Sequence, residues 1–126
     1  MVLPAGFLGA IAIGGTFAMN LGLGPAIAAV EPAIIASVIL LGAVLALALR
    51  ASLAMDLPLV GLFGLAHGAA HGVEMVGNGL AFGAAMLTAT ALLHGTDLAL
   101  GLTLNRKFAR ALGGATAVAG LAFAFA

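Results

Sequence analysis

No charged residue occurs in the first thirty positions of this chain. The eight that follow, Glu31, Arg50, Asp56, Glu74, Asp97, Arg106, Lys107 and Arg110, leave long uncharged runs between most of them. The runs between them approach the roughly 20 apolar residues that an α-helix, rising 1.5 Å per residue, needs to cross a bilayer. A water-soluble domain devotes roughly a quarter of its residues to charge. At 6% charged and 64% hydrophobic over 126 residues, with a mean hydropathy of +1.31, this chain has too little polar material to cover a wetted surface. The expected fold is therefore an all-α integral membrane protein. The net charge is zero and there is no basic run, which excludes a nucleic-acid partner. Cysteine is absent, which removes disulfides, thiolate metal sites and thiol catalysis. Trp and Tyr are absent too, so the interfacial aromatic belt is missing, and the seven Phe residues lack the polar tip to replace it. The opening Met1-Val2-Leu3-Pro4-Ala5 has no basic n-region, so no secretory signal is expected there.

Charges and Gly/Pro clusters divide the chain into five expected spans forming one transmembrane domain, at about 4–22, 31–49, 58–76, 80–104 and 109–126. The first closes in Gly22-Leu23-Gly24-Pro25. The second opens at Glu31-Pro32, where an acid and a proline suit a helix start. Gly77-Asn78-Gly79 reads as a tight turn. Short links favour antiparallel neighbours, and hence a small helical bundle. All four basic residues (Arg50, Arg106, Lys107 and Arg110) fall on the second and fourth links, which the positive-inside rule places in the cytoplasm. The expected location is the inner membrane, multi-pass, with the N-terminus in and the C-terminus out.

Polar residues inside such spans are costly and are candidates for function. On a helix, His71 falls about 40° from His67, and Glu74 about 20° to the other side, so the three share one narrow face. His94 and Asp97 share a face of the next span at i, i+3. Together these residues contain every histidine in the chain. Imidazole and carboxylate suit Ni²⁺, Co²⁺ or Zn²⁺, and the lack of thiolates argues against Cu(I). The plainer alternative is that His67, His71 and Glu74 hydrogen-bond neighbouring helices. His94 and Asp97 read equally well as a carboxylate orienting an imidazole near a metal or as a buried hydrogen bond. Gly61, Gly64, Gly68 and Gly72 form a small-residue stripe beside the His/Glu face, open to a second helix or a second copy of the chain. Gly83, Thr90, His94, Asp97 and Gly101 form another, and the short turn between the two spans lets these faces meet. From the turn inward the polar groups would then make a ladder: Glu74 and His71, then His67, then His94 and Asp97. Met19, Met55, Met75 and Met86 read as packing residues.

The run Leu65-Ala66-His67-Gly68-Ala69-Ala70-His71-Gly72-Val73-Glu74 resembles the H-G-x-x-H-G-x-E signature of the HupE/UreJ family. Val30-Glu31-Pro32, Leu93-His94-Gly95, Leu100-Gly101-Leu102 and Asn105-Arg106 resemble further stretches of it, so the likeness covers essentially the whole chain. These are membrane accessory proteins found with nickel hydrogenases and ureases and regarded as nickel permeases. Nothing in this sequence matches the family's first transmembrane helix, with its H-P-x-x-G-x-D-H motif. Five spans instead of six is the number expected of a member shortened at its N-terminus.

The expectation is thus a divalent-metal permease or accessory protein for nickel-enzyme maturation, not an enzyme. Its partners would be the lipid bilayer, the metal ion and maturation proteins, with His67, His71, Glu74, His94 and Asp97 as metal-handling residues. Ni²⁺ would be the transported ligand, with Co²⁺ the second candidate, and no organic cofactor is expected. Two rivals come from other classes. One is a haem-bearing membrane electron carrier with axial histidines from two spans. The other is a non-transporting assembly subunit that binds another membrane protein through its glycine faces.

Overall fold

The computed structural model describes residues 2–22, 27–50 and 52–126. It is all-α, with five helices: α1 (Val2–Leu21), α2 (Ile27–Leu47), α3 (Leu53–Val73), α4 (Gly79–Thr103) and α5 (Arg106–Ala124). Leu23, Gly24 and Pro25, read as the close of the first span, lie outside the described residues. Helices α1 to α4 are each long and apolar enough to cross a membrane. The last helix falls short of that measure because Arg106, Lys107 and Arg110 occupy its first turns. Long basic side chains can hold such a turn at headgroup level while the apolar remainder continues inward.

The helix ends differ from expectation at the starts of α2, α3 and α5 and at the end of α3. Pro32 and Pro58, read as openings, lie inside α2 and α3. Each is the sixth residue of its helix, where the missing N–H leaves one carbonyl unpaired near the helix end rather than at its centre. Helix α3 stops at Val73, three residues early, with Glu74 as its C-cap and Gly77 at φ +78 turning the chain. Asn78 then caps α4 by accepting from Ala81 N (3.0 Å), and Asn105 caps α5 by accepting from Phe108 N (2.9 Å).

Packing follows the small residues rather than the order of the chain. Neighbours run α4, α1, α3, α2, α5. The tightest pair is α1 with α3, parallel to each other: Gly64 lies against Phe7 and Ala10, Gly68 against Ile11 and Gly15, and Gly72 against Gly15 and Ala18. A Cβ built on Gly14 would run into the Leu65 backbone. The buried hydrophobic side chains among the described residues, Ala10, Ile11, Ala18 and Phe63, all belong to this pair. A second close pair is antiparallel, with Gly42 of α2 against Gly113 and Ala117 of α5, and Gly120 against Ile39. Lipid is as apolar as a leucine side chain, so helices gain by close van der Waals approach, which glycine permits.

The expected meeting of the α3 and α4 faces does not occur. Helix α4 packs on α1, and Gly83, Gly95 and Gly101 face open space. A three-residue turn holds two helices together only at one end. Along its length α3 is taken by α1, which offers the complementary small stripe.

Candidate functional site

Two imidazole–carboxylate pairs and one further imidazole are distributed along the bundle. At the C-terminal end of α3, His71 Nδ1 stands 4.0 Å from Glu74 Oε2, with both side chains well exposed. On α4, His94 Nδ1 stands 3.9 Å from Asp97 Oδ2. Both separations exceed hydrogen-bond length, so neither carboxylate fixes its neighbouring imidazole by a direct bond. Asp97 lies six residues before the end of α4, about 9 Å along the axis at 1.5 Å per residue. Its side chain is 74% exposed while that of His94 is 29% exposed. With 25 residues, α4 outruns the roughly 20 needed to span, which brings its last turns toward the interface.

His67 is held by its own helix. Its Nδ1 donates to the Phe63 carbonyl at 2.8 Å. A carbonyl only accepts, so the proton is on Nδ1 and the neutral ring keeps its lone pair on Nε2. Backbone tethering of this kind is how a ligand imidazole is commonly oriented.

Phe7 of α1 joins the two helices. Its ring packs edge-on against His67 (centroids 5.7 Å apart, planes at 63°) and against His94 (5.1 Å, 65°). His67 and His94, on helices that barely touch each other, are therefore brought to one level by a third helix. His94 Nε2 is buried there with no hydrogen-bond partner. A buried polar nitrogen left unpaired costs about 1–3 kcal/mol, so this one is available to a ligand.

Among the described residues, no three His, Asp or Glu side chains gather closely enough to hold one metal ion. The five residues singled out from the sequence stand instead as a pair at the end of α3, a level of two imidazoles farther along the bundle, and Asp97 beyond. Near the first pair, between α1, α4 and the end of α3, lies a cavity of about 490 Å³ lined by Gly15, Thr16, Met19, Gly72, Gly83 and Met86 among others. The sequence offered no signal for Phe7, one of seven phenylalanines in an apolar run; only packing singles it out. Met19 and Met75 do pack, both lying against Gly79.

Compared with known proteins, the chain matches the family model described as "HupE / UreJ protein" over residues 1–123. It is similar to Protein HupE of Rhizobium leguminosarum bv. viciae, at 33% identity over 129 aligned positions. That alignment covers 96% of this chain and 65% of the relative, so the chain spans just under two thirds of that protein's length. No solved structure matches.

Proposed function

The chain belongs to the HupE/UreJ family of membrane accessory and permease proteins, and on that premise we propose that it passes a divalent cation, nickel before cobalt, along α1, α3 and α4. The observation that carries this reading is the central level, where His67 and His94 meet on Phe7 and His94 Nε2 is buried without a partner. In this reading Glu74 and His71 attract the ion at the outer end, and the Nε2 atoms of His67 and His94 take it in turn. Asp97 then offsets the cost of holding a divalent charge in the low-dielectric layer. The dispersed ligands favour conduction over storage, because a conducting site must bind weakly enough to release. Phe7 must swing aside for the ion to go from one imidazole to the other. Each ligand has to be deprotonated, so passage weakens as the histidines protonate in acid. By the positive-inside rule the basic loops would face the cytoplasm and the His71–Glu74 end the outside, so in this reading the ion enters at that pair and moves inward.

Radiolabelled nickel accumulation in cells with matched expression tests this. His94→Ala should lower uptake about 10-fold or more, the effect of about 1.4 kcal/mol from one lost ligand. Asp97→Asn should insert normally and lose most uptake. If both variants accumulate nickel as the parent does, His94 and Asp97 are packing residues and the path is wrong.

A further inference from the structure

At the end of the bundle that carries every basic residue, the last turns of α2 and the first turns of α5 line an open cavity of about 450 Å³. Its rim is Arg50, Arg106 and Arg110, and its wall is Leu41, Val44 and Leu45. We propose that this cavity binds an anionic phospholipid, the phosphate gripped by the arginines and an acyl chain laid along the aliphatic wall. Three features support this occupant. Guanidinium groups present forked donors that match phosphate oxygens, and no carboxylate lines the cavity. The charged and apolar parts are also separated along the helix. Leu41 lies six residues before the end of α2 at Leu47, about 9 Å deeper at helical rise, so the lining changes from basic to aliphatic toward the bundle interior, as an amphiphile does. A free phosphate would use only the rim.

The site is also built rather than merely basic. Ala48 adopts φ +53, and Ala48 N and Leu49 N donate back to Leu45 O (3.1 Å) and Val44 O (3.0 Å), which turns Arg50 over the cavity mouth. Arg110 Nε donates to Ala46 O at 2.7 Å, tying α5 to the end of α2 and leaving its terminal nitrogens for a ligand. The positive end of the α5 dipole adds to the attraction.

The test uses the full chain in detergent, titrated with phosphatidylglycerol, phosphatidylcholine and inorganic phosphate. Bound lipid is counted by native mass spectrometry and the thermal midpoint is followed in parallel. Phosphatidylglycerol should bind and raise the midpoint. Phosphatidylcholine carries the same phosphate, but its choline cation would stand among the arginines, so it should bind about 10-fold more weakly, the loss of about one charge-assisted contact. Inorganic phosphate at the same concentration lacks the acyl chain and should not protect. Arg50→Gln and Arg106→Gln, which disturb no hydrogen bond among the described residues, should each weaken phosphatidylglycerol by about 10-fold by the same reasoning. Lys107→Gln removes the same charge one residue away, outside the cavity, and should change binding about 2-fold or less, as a screened surface charge does. Equal losses in all three variants would mean diffuse attraction to a basic surface and overturn the site. Equal binding of the two lipids, or equal protection by inorganic phosphate, would overturn the occupant.

Discussion

Gly68→Ala adds one methyl group at the closest approach in the molecule. A Cβ there would run into the Ile11 carbonyl oxygen and would lie 2.8 Å from both Gly15 N and Ile11 C. All three are backbone atoms of α1, so no side chain can rotate away. Ordinary contact begins at 3.4 Å, and the two helices must therefore part by more than half an ångström at this point. Because Gly64 and Gly72 sit one turn to either side on the same seam, the separation spreads to their contacts with Ala10, Gly15 and Ala18. A gap of 0.5–1 Å forfeits roughly a quarter to a half of each dispersion well it opens, and overpacking a tight interior costs about 1–3 kcal/mol. The upper end of that range applies here because the obstruction is backbone on backbone. Gly61→Ala supplies the control: it is the same chemical change in the same helix, with nothing within 4 Å of the new methyl. It should be neutral or stabilise by up to about 1 kcal/mol through helix propensity. Reversible unfolding in mixed detergent and dodecyl sulfate micelles, followed by circular dichroism, should separate the two variants by about 3 kcal/mol on those two figures. Stabilities within about 0.5 kcal/mol of each other, the scatter of ordinary surface substitutions, would refute the α1–α3 seam as the core.

Further outcomes follow from single positions. Ala48→Gly should stabilise the fold by about 1 kcal/mol, because Ala48 holds a left-handed φ of +53 that glycine adopts freely; an unchanged unfolding midpoint would mean the turn is not strained. Asn105→Ala removes the side-chain acceptor for Phe108 N and should destabilise by about 1 kcal/mol, with Asn105→Asp recovering most of the loss in the same assay. In cells, a phosphatase fused after Arg110 should be inactive and one fused after Ala126 active, since all four basic residues mark a single side. The reverse pattern would invert the proposed direction of transport.

The helices were legible because their cause is local. Uncharged runs of about 20 residues have few ways to satisfy their backbones in lipid other than as helices. Asn78, read in the sequence only as part of a tight turn, and Asn105, read only as a link residue, prove to cap α4 and α5. Partner choice was not legible in the same way. Gly64, Gly68 and Gly72 announce a face that will be approached closely, yet the glycine stripe of α4 looks as good on paper and is left open. Which of two stripes is filled depends on what the opposing helix presents at the matching depth, and that is a property of the pair. The His67–Phe7–His94 level was hidden for the same reason. Three residues about sixty and thirty positions apart meet only because α1 inserts beside both α3 and α4.

The sequence by itself determined the solvent, the number of helices, the end of the bundle that carries positive charge, and the family, since each rests on composition or on residues a few positions apart. Tertiary structure decided the neighbour order, the seam that forms the core, and the division of the five polar residues into a pair at the end of α3, a level of two imidazoles and a carboxylate beyond it. The physical reason is the weakness of selection between apolar helices in lipid. Hydrophobicity drives every span into the membrane equally and does not distinguish one partner from another. The distinction comes from methyl-scale contacts between backbones, and those exist only once two particular helices lie side by side.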